Sequence, residues 1–263
     1  MHPILAAMPA PIRDLAARIE SESTVPIEVI RSTPSCPDAA FRAAEAAVQI
    51  IPTKRGLVAQ ILQFKDQIQP EAALHELCHL EETLCKAIPQ LVFSRGLETI
   101  EKGYIPPGSY VGSSAWLENK ISHYRYVYKR MNELGFNQAD GLNCVLGEQW
   151  RKVAPVARSA QNRMVPRMSV FTDYAITRRF CTDADVRSRA GAIIKSVGLL
   201  ERARRFEERF NKALKDKAET VRVILHEFNL PSDIALLRYH DGPHKLIRDC
   251  DLSGKEIRQW RFQ

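Results

Sequence analysis

The stretch LHELCHLEE, residues 74–82, places His75, Glu76 and His79 in the spacing H-E-x-x-H. Two histidines four residues apart lie about 40° apart around a helix and one turn apart along its axis, so both imidazoles can bind one ion. Tetrahedral zinc then needs a third protein ligand and leaves its fourth position to water. Glu76 stands beside that position, where a carboxylate can take a proton from the water. The stretch therefore predicts a zinc site with its own general base.

The helix predicted around this motif begins at Pro70 and runs to about Lys86, before Pro89. A proline in the first turn with Glu71 beside it is typical of a helix start. The competing interpretation of the motif is an amphipathic helix in which two half-buried histidines bond to nearby carboxylates. The metal site is favoured, because Leu74, Leu77, Cys78 and Leu80 are all uncharged, as expected for a helix packed beneath an active site.

A second helix is predicted over AWLENKISHYRYVYKRMNEL, residues 115–134, with Gly135 as its C-cap. It follows a segment rich in Gly, Pro and Ser that is predicted to be loop or short strand. Its apolar stripe comprises Leu117, Ile121, Tyr124, Tyr128 and Met131.

Strands are predicted at PIEVIRS (26–32) and AVQIIP (47–52), where β-branched residues recur. The pattern of residues 56–68 fits a strand or a helix equally well. Residues 165–180 are also ambiguous, and residues 183–228 are predicted to form one long helix or two shorter ones. Residues 244–263 resemble a β-hairpin, and 240–244 a loop before it. The fold class predicted is α+β, with helix predominating.

The composition is that of an ordinary globular protein of 263 residues, with 45% hydrophobic and 26% charged residues. Six scattered cysteines without a CxxC pair indicate free thiols. The short, proline-broken apolar start and the lack of an 18-residue apolar run predict a cytoplasmic protein with no membrane partner.

The net charge of +7 and the pI of about 9.1 raise the question of a nucleic-acid partner. The basic residues are spread along the chain and mixed with acids, which is typical of solvated helix faces. Nucleic-acid binding is therefore not favoured.

His75-Glu76-Leu77-Cys78-His79 on a helix, with helix-rich sequence after it, resembles the zincin metallopeptidases. The resemblance covers about ten residues firmly and residues 46–134 loosely. It implies Zn²⁺ held by His75 and His79, with Glu76 as general base and proton shuttle. It also implies a zincin-like core, with a small sheet, an active-site helix and a glutamate helix, in residues 1–180. Residues 181–263 would then form a helical region ending in a β-hairpin.

The third zinc ligand is expected to be Glu118, on the second helix. The extended metzincin pattern is absent, because positions 82 and 85 are Glu and Cys where that pattern has Gly and His. The inverted motif H-x-x-E-H is absent as well, which leaves the gluzincin arrangement. Glu118-Asn119 followed by Ser122 is similar to the glutamate helices of that group, including bacterial regulatory peptidases. One departure is that His123 stands where those helices carry an aspartate partner for the first histidine.

Several other residues compete for roles at this site. Glu82 is a candidate third ligand or an outer partner that orients an imidazole. The remaining candidate ligands are Glu98, Glu101 and Glu148. His123 and Tyr126 are candidates for stabilising the oxyanion of the transition state. A second metal site at His240 and His244 is the less favoured interpretation of that turn.

These observations predict a zinc-dependent peptidase that cleaves a peptide bond in a protein or peptide substrate. The resemblance further implies an edge strand that binds extended peptide, for which AVQIIP is the nearest candidate. The alternative is a non-catalytic zinc-containing protein, either regulatory or nucleic-acid-binding.

Overall fold

The computed structural model describes residues 1–33, 46–95, 97, 110, 112–136 and 139–262. Its helices are α1 (Pro3–Ala6), α2 (Ala10–Ser23), α3 (Pro70–Leu80), α4 (Ser114–Ser122), α5 (Tyr128–Glu133), α6 (Ala139–Ser159), α7 (Met164–Phe180), α8 (Ala184–Ser196), α9 (Leu200–Ala213) and α10 (Lys217–Glu227). Its strands are β1 (Ile27–Arg31), β2 (Ala46–Thr53), β3 (Gly56–Gln63), β4 (Gln90–Phe93), β5 (Ala235–Asp241), β6 (Leu246–Cys250) and β7 (Glu256–Arg261). Helices predominate over two small sheets, which confirms the mixed α+β class.

The first sheet has the strand order β1-β3-β2. Strand β3 pairs in parallel with β1 and antiparallel with β2, whose Thr53 lies opposite Gly56 across a tight turn. Gly56 has a φ of 127°, a conformation that favours glycine. The pattern of residues 56–68 fitted a helix or a strand. In the structure its first eight residues form a strand, which is the second strand of the hairpin closed by this turn.

The second sheet is antiparallel throughout, in the order β4-β5-β6-β7. Strands β6 and β7 confirm the predicted terminal hairpin. Strand β5 was not predicted, and its last residues, His240 and Asp241, correct the expectation that 240–244 is entirely loop. Leu91 of β4 lies opposite Leu237 of β5, so this sheet joins chain from both sides of residue 180.

Residues 183–228 form three helices rather than one or two. The first break has Gly198 at a φ of 71°, a left-handed conformation common just after a helix end. The second has Asp216, whose side chain accepts hydrogen bonds from the backbone N–H groups of Ala218 and Glu219 and so caps α10. Residues 165–180, left ambiguous by their pattern, lie within helix α7. In the described part of the chain, no helix has both the length and the apolar character needed to cross a membrane.

Two apolar cores lie side by side in the fold. The smaller one is built mainly from α2, the first sheet and α3, while the larger one contains α4, helices α6 to α10 and strands β4 and β5. Helix α3 carries the H-E-x-x-H motif and α4 leads to His123. The elements that bear the candidate site thus come from different cores and meet where the cores adjoin.

Candidate metal centre

Helix α3 places the motif histidines away from its buried face. It begins at Pro70 as predicted, and it buries Leu74, Leu77 and neighbouring apolar residues in the smaller core. Full burial of a leucine contributes about 1.5–3 kcal/mol, which fixes the rotation of this helix. His75 and His79 are half-buried on another side of it.

Each of the two helices is extended by a π-helical turn. The turn Glu81–Cys85 continues α3, so the helical segment ends at Cys85. The turn His123–Val127 joins α4 to α5. Such wide turns recur at functional sites, because each changes the direction in which later side chains point.

The second π-helical turn divides the predicted apolar stripe of residues 117–131. Leu117, Ile121 and Tyr124 face the larger core, whereas Met131 belongs to the smaller one. Tyr128 is only half-buried, and its ring lies 4.9 Å from that of His123, measured between centroids. In a π turn the backbone hydrogen bonds join residue i to residue i+5. Side chains five residues apart, such as those of His123 and Tyr128, therefore lie close together.

The three imidazoles of His75, His79 and His123 converge. Nε2 of His75 lies 2.8 Å from Nε2 of His123 and 3.3 Å from Nε2 of His79. Ligand nitrogens of all three lie within 4.8 Å of one another. Two nitrogens bound tetrahedrally to zinc at 2.0–2.1 Å are about 3.3 Å apart, so the donor set suits such an ion after small shifts.

Two of these imidazoles have partners on their outer nitrogens. Nδ1 of His79 lies 3.0 Å from the Ser122 hydroxyl, which donates a hydrogen bond to Glu82. Nδ1 of His123 lies 3.3 Å from the hydroxyl of Tyr128. Glu82, a candidate outer partner from the sequence, is thus connected to His79 through one serine hydroxyl.

Burial sets the protonation of the cluster. It lowers the pKa of His75 to about 4 and holds the pKa values of His79 and His123 well below the ordinary histidine range. All three imidazoles are therefore neutral at pH 7, which is the form that binds metal. Burial also raises the pKa of Glu76 to about 8.

Glu118 lies outside this cluster, although the sequence favoured it as the third ligand. One carboxylate oxygen accepts a hydrogen bond of 2.8 Å from the Leu91 backbone N–H. The other accepts one of 2.6 Å from the ammonium of Lys217, whose side chain is 3% exposed. His123, five residues further on, points to a different side of the helical segment and supplies the third nitrogen. The sequence did place His123 beside the site, but as a transition-state helper.

The remaining candidates are Glu98, Glu101, Glu148 and Tyr126. Glu98 and Glu101 fall outside the described residues, and Glu148 is exposed on α6. Burial raises the pKa of Tyr126, and so does a hydrogen bond between its hydroxyl and Glu81. In the described ranges, His75, His79 and His123 are the single group of three or more His, Cys, Asp or Glu residues with metal-binding spacing.

His240 and His244 do not form a second cluster of this kind. His240 is buried in β5, whereas His244 is exposed and lies 2.9 Å from the Asp241 carboxylate.

Comparison of the chain with protein-family models, with curated proteins and with solved structures finds no match.

Proposed function

We propose that this protein is a zinc-dependent peptidase in which His75, His79 and His123 hold the metal and Glu76 is the general base. The observation that carries the proposal is the convergence of three neutral imidazoles, two of them in an H-E-x-x-H motif on one helix. Three imidazole donors suit zinc among the common metals of proteins. Three protein ligands leave the fourth tetrahedral position to water or substrate, as catalytic sites require.

A zinc ion bound here would supply Lewis acidity, lowering the pKa of a coordinated water toward about 7 and polarising a carbonyl group. The carboxylate of Glu76 accepts a proton from the attacking water and returns it to the leaving amine. This role suits its position, next to His75 in the chain and 9% exposed. A pKa of about 8 allows Glu76 to exchange protons near neutral pH, and a nearby dication would lower that value.

A peptide substrate is supported by the resemblance to zincins and by strand β2. Within the described residues β2 is an edge strand of the first sheet, and it packs against α3. The edge of β2 that no described strand pairs with carries backbone donors and acceptors to which an extended peptide can bind. This is the segment AVQIIP, extended by one residue at each end.

A non-catalytic zinc protein is the second candidate, and a fourth protein ligand would favour it. The described part of the chain offers three ligands and not four at this site. A nucleic-acid-binding protein is less favoured, because several arginines are taken up in ion pairs with buried carboxylates. Arg18 and Arg130 bind Glu81, and Arg238 and Arg258 bind Asp249. The cytoplasm remains the proposed compartment, since the five described cysteines are free thiols.

The test combines metal content with cleavage of a defined peptide mixture. Purified protein should contain one zinc per chain and cleave peptides from the mixture, as followed by mass spectrometry. Removal of zinc with a chelator should stop cleavage, and added zinc should restore it. One zinc per chain with no cleavage under any condition would favour the non-catalytic alternative.

A further inference from the structure

The outer nitrogen of His79 belongs to a chain of hydrogen bonds that ends at a buried carboxylate. Ser122 Oγ donates its only proton to Oε2 of Glu82. Toward Nδ1 of His79, 3.0 Å away, the hydroxyl can therefore act only as acceptor. This assigns the proton of His79 to Nδ1 and leaves Nε2, which lies 3.3 Å from Nε2 of His75, with a lone pair that can bind an ion.

Among the described residues, neither His75 nor His123 has a partner of this kind. His123 meets the neutral hydroxyl of Tyr128, which can donate or accept. The tautomer of His123 is thus not fixed by its neighbour, whereas that of His79 is fixed by the Ser122 hydroxyl, whose proton is donated to Glu82.

The carboxylate at the end of the chain is deeply buried and incompletely paired. Ser122 is 1% exposed and Glu82 is 3% exposed. In the described part of the chain, Oε1 of Glu82 has no hydrogen-bond partner and Glu82 forms no ion pair. Its nearest cations act at longer range, and one of them, Lys217, is bonded to Glu118. A buried carboxylate in this position is costly unless a positive charge compensates it.

We propose that Ser122 and Glu82 are positioning residues of the metal centre, which hold His79 in its metal-binding tautomer and supply negative charge against a bound dication. The inference rests on the metal site of the proposed function, but it does not require peptidase activity. Three neutral imidazoles leave both charges of a divalent ion uncompensated. Glu82 offsets part of that charge through Ser122, and it makes Nε2 of His79 a stronger electron-pair donor to the metal.

The test is a competition titration with Co²⁺ and a chelator of known affinity, applied to wild type, Ser122→Ala, Glu82→Gln and the double variant. Each single change should weaken Co²⁺ binding about 10- to 100-fold, as loss of an outer partner does at other metal sites. The double variant should bind no more weakly than the weaker single variant, because both changes interrupt the same chain. Circular dichroism confirms which variants are folded, and either single variant alone is sufficient for the comparison.

Glu81→Gln is the matched control. Glu81 is the adjacent residue and equally buried, at 1% exposure, but it is bonded to Arg18 and Arg130 instead of Ser122. This variant should bind Co²⁺ as wild type does. In the zinc-loaded protein, a long-range ¹H–¹⁵N spectrum should show His79 protonated at Nδ1, with that signal broadened or lost in Ser122→Ala.

Three results separate this inference from the proposed function. Wild-type affinity in both folded single variants would overturn the positioning role, as would an equal loss in Glu81→Gln. Weakened Co²⁺ binding in Ser122→Ala and Glu82→Gln would support the positioning role. If no metal-loaded protein, wild type included, hydrolysed a peptide, the proposed peptidase activity would be refuted. A wild-type protein that takes up neither Co²⁺ nor Zn²⁺ would overturn both.

Discussion

Nε2 of His123 lies 2.8 Å from Nε2 of His75, although 48 residues separate the two histidines in the chain. The contact brings the helical segment after α4 onto the H-E-x-x-H helix. It makes His123 the third donor of the cluster, whereas the carboxylate of Glu118 is hydrogen-bonded to Leu91 and Lys217.

The first prediction concerns this third ligand. His123→Ala should lower zinc affinity by more than the roughly 10- to 100-fold that loss of an outer partner causes, since a ligand itself is removed. Glu118→Gln should retain one zinc per chain, because its carboxylate bonds to Leu91 and Lys217. Metal content after dialysis, measured by atomic emission, compares the two. Zinc lost from Glu118→Gln and retained by His123→Ala would restore Glu118 as the ligand.

The second prediction concerns the general base. Glu76→Gln should keep one zinc per chain while kcat/KM for a cleaved peptide falls about 10²- to 10⁴-fold, because the amide cannot accept the proton of water. Glu71→Gln is the control, since Glu71 lies exposed in the first turn of the same helix. It should leave both quantities unchanged. Undiminished cleavage by Glu76→Gln would remove this residue from the mechanism.

Much of the fold follows from local signals in the sequence. Pro70 and Glu71 predicted the start of α3, and the pattern of residues 244–263 predicted the terminal hairpin. Gly198 and Asp216 also carry the signals that divide residues 183–228 into three helices. These features depend on a few neighbouring residues, which a single sequence displays.

Other features depend on contacts distant in the chain. Strand β5 pairs with β4, where Leu237 lies opposite Leu91. The sequence around either strand does not indicate a partner so distant in the chain. The π-helical turn at His123–Val127 interrupts a regular helical periodicity that the sequence continues to suggest. The similarity to gluzincin glutamate helices favoured Glu118 as ligand, whereas in the structure Glu118 pairs with the buried Lys217 and His123 approaches His75.

The third prediction tests the ion pair that holds Glu118. Lys217→Met leaves the half-buried carboxylate without its ammonium partner, and loss of one member of a buried pair costs about 3–5 kcal/mol. The free energy of unfolding should decrease by an amount near the lower end of this range, because Glu118 is 17% exposed and keeps its hydrogen bond to Leu91. Lys129→Met, which removes an exposed partner of Glu133, should cost less than about 1 kcal/mol. Equal urea midpoints for the two variants would contradict a structural role for Lys217.

The fourth prediction concerns pH. Burial lowers the pKa of His240 to about 4, from an ordinary value of 6.5. Between these values the unfolded chain binds a proton that the folded protein does not, so stability falls as pH decreases from 6.5 to 4. Above pH 6.5 the effect vanishes. Its full extent is about 3 kcal/mol, at roughly 1.4 kcal/mol per pKa unit.

His240→Gln removes this titration, so it should flatten that part of the stability curve. The difference between wild type and variant isolates His240 from the other buried histidines, and urea unfolding at pH 4.5, 5.5 and 7 measures it. A difference that stays constant across these values would show that His240 is protonated equally in both states.

The fifth prediction concerns the turn between β5 and β6, where Gly242 passes close to the end of α2. A Cβ atom at Gly242 would lie 2.0 Å from the Ser23 carbonyl oxygen and 2.5 Å from Cγ2 of Val25. Val25 is buried, so neither group can move without displacing backbone or core. Gly242→Ala should therefore lower the free energy of unfolding by about 1–3 kcal/mol, as overpacking does.

Gly191→Ala is the same glycine-to-alanine substitution, but it should raise the free energy of unfolding instead of lowering it. Gly191 lies inside α8, and a Cβ there would meet no described atom within 4 Å. Alanine should stabilise the helix by about 0.5–1 kcal/mol, because it loses less conformational freedom on folding than glycine. Chemical denaturation of both variants thus separates the close approach at Gly242 from the general effect of replacing glycine. Stabilisation by both substitutions would mean that the turn can move away from Ser23, so the second sheet is not tied to α2 through this contact.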